Sequence, residues 1–316
     1  MNGQTKAKHW RVIFAGTPSY SVPSLDAVAA LPDVEVVGVF TQKPKPHGRG
    51  LQEQSSPVAL RAKELGLFTM TPDKVRAPEV QAAIRGLNAD VGVVVAYGKI
   101  LPESLLNDLS HGWVNGHASL LPRWRGASPI QHAILAGDKV TGVTLMQLEP
   151  GMDTGPTFAK AVIPILPTET TASLAIKLAM ISAQLFSENL IGYLTGKLKL
   201  EPQPAVGITT APKITPSDGM VRWAEPAVSI ERAIRAFTPW PGMITRFGKN
   251  TIKIISASIT EGTSKPGQVS EHPRGCSVGT GKDLLVLEII QPAGKKPMDV
   301  HSFVRGHPEF IGSSLT

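Results

Sequence analysis

Val91-Gly92-Val93-Val94-Val95-Ala96 is a run without a single polar side chain. A short apolar run of this kind fits a strand of a parallel sheet whose two faces are both covered. Strand and helix patterns alternate around it. Residues 11–15, 34–41, 112–117 and 141–148 read as further strands, and 22–30, 57–65, 78–87 and 171–195 as helices, with Pro78 at a favoured first helical position. Alternation of this kind argues a doubly wound α/β domain, in which ligands bind beyond the carboxyl ends of the strands. The strands ending near His117 and Leu148 both deliver their following residues there.

The texture changes near Lys199. Pro202, Pro204, Pro212 and Pro216 suit an extended linker. A short helix over 230–237 and β-like runs at 251–256, 267–269 and 284–291 then suggest a small β-barrel. The expected division is a catalytic domain over 1–198, a linker over 199–217 and a C-terminal domain over 218–316.

Composition excludes several classes. A single cysteine, Cys276, rules out an internal disulfide or a multi-thiolate zinc cluster, and no His-x-x-x-His pair reads as a metal site, so no metal is expected. The first ten residues lack the apolar core of a signal peptide, and no apolar stretch approaches the ~20 residues that span a bilayer. The expectation is a cytoplasmic monomer with no membrane partner. The formal charge of +7 suits a polyanion, although a mildly basic surface has the same signature.

Asn115-Gly116-His117-Ala118-Ser119-Leu120-Leu121-Pro122 sets a carboxamide and an imidazole two apart on an extended segment, so both leave one face. Gly151-Met152-Asp153-Thr154-Gly155 brings a carboxylate on a separate loop. Asn and His can each donate to an oxyanion, and Asp can orient the ring and favour its protonated form. That equipment suits acyl transfer by direct attack. Ser119 has no evident base beside it, and Cys276 lies in the other domain. The turn Gly16-Thr17-Pro18 lacks a phosphate-binding glycine pattern and reads as structural.

These motifs resemble those of the folate-dependent formyltransferases, and especially the members that act on methionyl-tRNA. The resemblance runs from Arg11 to about Gly306. It implies a Rossmann-like formyltransferase domain followed by a small OB-like β-barrel that helps to hold tRNA. It also implies transfer of formyl from 10-formyltetrahydrofolate to the amino group of methionine on initiator tRNA, with Asn115, His117 and Asp153 as catalytic residues. Ser119, Leu120, Leu121 and Pro122 become the folate-contacting segment, and residues 94–102, with Ala96-Tyr97-Gly98, the wall of the pterin pocket. The basic loop Thr41-Gln42-Lys43-Pro44-Lys45-Pro46-His47-Gly48-Arg49-Gly50 matches an insertion that reaches the acceptor stem. Arg49, Lys43, Lys45 and, in the second domain, Lys213 are thereby implied as tRNA contacts. Arg123-Trp124-Arg125 extends the motif in the manner of this subfamily.

The chain departs from the pattern in two places. Gly116 replaces a usual valine, and Leu51-Gln52-Glu53-Gln54 stands where paired lysines are common. A related formyltransferase or hydrolase acting on a small amine or on water, and a non-catalytic RNA-binding protein on the same scaffold, are the competing readings.

Overall fold

The computed structural model describes residues 9–47 and 52–316. The chain forms two compact units. The first comprises Met1–Gly126, Val140–Ile163 and Ala175–Thr210, and the second Ala127–Lys139, Pro164–Leu174 and Ala211–Thr316.

In the first unit the strands are β1 (Trp10–Gly16), β2 (Val34–Phe40), β5 (Thr69–Met70), β6 (Val91–Val95), β7 (Trp113–His117), β8 (Val140–Gln147) and β9 (Thr157–Pro164). Among the described residues they form one sheet in the order β5-β2-β1-β6-β7-β8-β9. The pairings from β5 to β7 are parallel, and β8 runs antiparallel to β7, so the sheet is mixed and, against the expectation from the sequence, β8 ends with Gln147 beside Val114, at the opposite edge from His117. A separate two-strand pair, β3 (Lys45–His47) with β4 (Gln52–Gln54), lies off it.

Helices cover both faces. The core on one face gathers Ile13, Ala15, Phe40, Tyr97 and Trp113 with Ile84 of α3 (Pro78–Gly86) and Leu105 of α4 (Glu103–Leu106). Gly92 interrupts the valines of β6 because the Trp113 ring lies against it, 2.0 Å from where a Cβ would stand. On the other face Ser24 of α1 (Val22–Ala29) bonds Ser182 of α6 (Thr171–Leu194) at 3.0 Å. By length and composition α6 is apolar enough to cross a membrane, yet Leu178, Phe186 and Leu190 are fully buried, as in a core helix. Ser56 caps α2 (Pro57–Glu64) by accepting the Ala59 N–H at 3.0 Å.

The second unit is an antiparallel β domain with helices. Its strands are β10 (Met243–Phe247), β11 (Asn250–Thr260), β12 (Val269–His272), β13 (Gly275–Gly279) and β14 (Leu284–Pro292), paired in the order β10-β11-β14-β13-β12, with β15 (Met298–Asp299) added beside β14. α7 (Ala227–Ala236) and α8 (Val300–Gly306) belong to it, and so does α5 (Pro129–Ala136) from the first half of the chain. Arg232 of α7 donates to the Ala136 carbonyl at 3.3 Å. Phe247, Phe303 and Phe310 meet edge to face. Burial pushes the Cys276 thiol up to about 12, so it is neither an effective thiolate nor exposed.

Candidate active site

β7 ends at the carboxyl edge of the sheet, where Trp113, Asn115 and His117 alternate onto one face and Gly116 onto the other. Gly116 turns toward α6, and a Cβ there would stand 2.8 Å from Ser182 Oγ and 2.9 Å from the Phe186 ring. The glycine is therefore a packing requirement of this chain, and it lets α6 lie close beneath the strand that carries the site. Gly116→Val is expected to lower unfolding stability by about 1–3 kcal/mol through overpacking. Denaturant unfolding of the full chain measures it, and an unchanged midpoint contradicts the argument.

His117 is 6% exposed and held from two sides. Its Nε2 lies 2.9 Å from the Trp124 carbonyl, and its Nδ1 lies 3.6 Å from Asp153 Oδ2. A carbonyl only accepts, so Nε2 carries the proton in the neutral ring and Nδ1 presents its lone pair. At 3.6 Å, Nδ1 and the carboxylate are an ion pair in waiting and not a hydrogen bond. Asp153 Oδ2 is held in turn by the Gly126 N–H at 2.8 Å. Asn115, two residues before His117 and half-buried, has a carboxamide that makes no hydrogen bond among the described residues.

The segment after His117 is built from inside. Thr144 of β8 donates to the Ser119 carbonyl at 2.7 Å and accepts the Leu121 N–H at 3.2 Å. The Ser119 hydroxyl is fully buried and donates to the Arg123 carbonyl at 2.6 Å, which makes it a support of the turn. Leu120 and Pro122 are left half-buried at the surface, while Leu121 is buried. The Arg123 guanidinium lies over the Trp124 ring, 4.2 Å from its centroid.

The stretch after β6 turns on Ala96 and Gly98, both at positive φ (47° and 78°). Thr17 and Gln42 both donate to the Tyr97 carbonyl, at 2.7 and 3.0 Å, which fixes this bend to the turn after β1 and to the segment after β2. The Gly16-Thr17-Pro18 turn thus packs the sheet edge.

Of the residues implied as tRNA contacts, Lys43 pairs with the exposed Asp73 carboxylate, whose ionisation it holds below the usual range. Lys213 is exposed on the second unit. Lys45 lies in β3, and Arg49 falls outside the described residues. Sequence reasoning noted Trp124 and Gly126 only as part of a motif and passed over Thr144; that these groups hold His117, Asp153 and the Ser119 turn was not read. Thr144 carries no signal of its own in the sequence, since Thr141 is a second buried hydroxyl on the same strand.

The Formyl transferase family matches residues 10–190, and the Formyl transferase, C-terminal domain family matches 213–308. Methionyl-tRNA formyltransferase of Ruegeria pomeroyi is 43% identical over 305 residues, covering 96% of this chain and all of its own. The Myxococcus xanthus protein of that name is 45% identical over 304 residues, covering 96% of this chain and 97% of its own. Among solved structures, a methionyl-tRNA formyltransferase from Clostridium thermocellum is 18% identical with a TM-score of 0.54, over 79% of this chain and 94% of that one. A Helicobacter canadensis N-formyltransferase in complex with folinic acid and dTDP-3-aminofucose reaches 0.64 at 17% identity, over 88% and 99%. With relatives this similar along nearly the whole chain, and both halves of the fold matched, the protein belongs to the methionyl-tRNA formyltransferase family of formyl-transferring enzymes.

Proposed function

We propose that this chain transfers formyl from 10-formyltetrahydrofolate to the α-amino group of methionine on initiator tRNA, by direct attack of the amine. The names of its relatives support the acceptor. The observation that carries the mechanism is the clamped imidazole, Nε2 on the Trp124 carbonyl and Nδ1 facing Asp153 at 3.6 Å, with an unbonded Asn115 carboxamide on the same strand face.

The residues present fit a folate donor. The half-buried Leu120 and Pro122 offer an apolar shelf, and the unbonded Asn115 amide supplies a hydrogen-bond donor beside it. The donor supplies a formyl carbonyl carried on an arylamine nitrogen. Asn115 donates to the carbonyl oxygen as negative charge builds there. The sequence suggested His117 as a second such donor, but the neutral ring spends its one N–H on the Trp124 carbonyl, and His117 is proposed instead as the base. His117 Nδ1 takes a proton from the attacking amine, and the Asp153 carboxylate stabilises the imidazolium so formed. The same proton then goes from Nδ1 to the departing nitrogen. Asp153 exchanges no proton in this scheme and serves to orient the ring.

Lys43, Lys45, Arg49 and Lys213 are assigned to the tRNA phosphates. Lys43 gives up little in exchanging Asp73 for a phosphate, because solvent screens an exposed ion pair and leaves it weakly stabilising. The reading places the enzyme in the cytoplasm, as a monomer acting without a membrane.

The test is incubation with charged initiator tRNA and the formyl-folate donor, followed by mass analysis of the aminoacyl end. A formylated methionine is the expected product. Formylation of a sugar amine, or release of formate to water with the aminoacyl end unchanged, would transfer the assignment to the competing readings.

A further inference from the structure

The proline-rich stretch after α6 runs along the first unit as a strap. Glu201 exchanges both backbone hydrogen bonds with Thr157 at 2.8 Å, and further on Arg125 N–H bonds the Thr209 carbonyl at 2.9 Å. From Lys199 to Thr210 every residue is exposed except Gln203 and Thr209. A solvated linker has no reason to turn two polar side chains inward, so their partners are informative.

Thr209 Oγ accepts the Trp124 N–H at 2.9 Å. The Gln203 carboxamide spans two loops. Its Nε2 donates to the Asp153 carbonyl and to the Gly155 carbonyl, both at 2.8 Å. Its Oε1 accepts from Arg125 Nε at 3.1 Å and Nη2 at 2.8 Å. Trp124 and Asp153 are the residues that clamp His117, and both hold left-handed backbone conformations, at φ 63° and 50°. Such conformations cost about 1–3 kcal/mol in a non-glycine residue and persist only where the surroundings over-determine them. The strap supplies that determination at both positions.

We propose that Gln203 and Thr209 are positioning residues for the transfer reaction: the strap holds the Trp124 carbonyl and Asp153 in the backbone conformations that aim them at His117. Thr209 thereby sets the tautomer of the imidazole, because the Trp124 carbonyl keeps the proton on Nε2. Gln203 sets where the Asp153 carboxylate stands relative to Nδ1. This rests on the catalytic role of His117 given above.

Three full-length variants test it. Thr209→Val removes the acceptor for the Trp124 N–H, and Thr209→Ser keeps it. Gln203→Glu still accepts from Arg125 but cannot donate to the Asp153 and Gly155 carbonyls. Thr209→Val and Gln203→Glu are expected to lower kcat by about 10²-fold, the scale of an ångström-level misplacement, with KM for donor and tRNA little changed. Thr209→Ser is expected to restore turnover. The Nε2 proton of His117, assigned by its loss in His117→Gln, should give a slowly exchanging NMR signal in the unsubstituted protein and in Thr209→Ser, and exchange faster in Thr209→Val. Unfolding midpoints, read alongside, identify any variant that has lost its fold.

An unaltered kcat and an unaltered His117 signal in folded Thr209→Val would overturn the proposal. So would a Thr209→Ser variant as impaired as Thr209→Val, because the hydroxyl would then not be the cause. Failure of the catalytic reading looks different: Asn115→Ala and His117→Gln would keep full turnover, whereas the His117 proton signal would still report whether the strap fixes the ring.

Discussion

Asn115→Ala is expected to lower kcat for formyl transfer by about 10²–10³-fold, the scale of losing one pre-organised donor to a developing oxyanion. Asn115 sits on a rigid central strand, paired with Val94 on one side and Met146 on the other, so its carboxamide is held in place before any ligand arrives. It makes no hydrogen bond to the described protein, so truncation leaves no partner stranded and the fold should survive. The affinity for charged tRNA, read by filter binding, should be unchanged, because no phosphate contact is assigned to this side chain. Single-turnover formylation separates chemistry from release, and a variant with full single-turnover rate would remove Asn115 from the reaction.

Asp153→Asn tests charge apart from shape. The amide oxygen still accepts the Gly126 N–H that the carboxylate accepts at 2.8 Å, so the loop keeps its tether. What is lost is the negative charge 3.6 Å from Nδ1. The imidazolium that forms when Nδ1 takes the amine proton then stands uncompensated at a buried position, where an unpaired charge is costly. A fall in kcat on the order of 10²-fold is expected, with unfolding stability near that of the unsubstituted protein. The losses from Asn115→Ala and Asp153→Asn should not add, because both groups act on one charge redistribution. Equal turnover by Asp153→Asn and the parent would show that the carboxylate has no electrostatic part in catalysis.

Much of the first unit was legible because its strands are apolar runs with sharp ends. Residues 11–15, 34–41 and 141–148 differ from β1, β2 and β8 by a residue or so at each end. β9 went unread because its side chains alternate between half-buried and exposed at the sheet edge, which leaves no apolar run to notice. α5 also went unread, although Pro129 in its first turn and the left-handed Gly137 at its end were start and stop signals. Asn115, His117 and Asp153 were readable as chemistry from residue type and spacing. Their supports were not. Trp124, Gln203 and Thr209 act through backbone carbonyls and an N–H, with contacts 50 residues away in the chain from Gln203 to Asp153 and 85 from Thr209 to Trp124, where residue type says little. Prolines at 202 and 204 describe an extended backbone equally well whether it hangs in solvent or lies against a loop.

The interleaving of the two units along the chain has a consequence for biogenesis. The β-rich C-terminal unit recruits 127–139 and 164–174 from earlier in the chain, and α7 docks on the end of α5. A gene fragment starting at Ala211 would encode the strands and α7 without α5, the helix on which α7 packs, and should yield an insoluble product where a conventional module boundary would give a folded one. On the ribosome α5 emerges well before α7, 96 residues separating Ala136 from Arg232, so its apolar face stays uncovered until that partner is made and is open to chaperone binding in the interval.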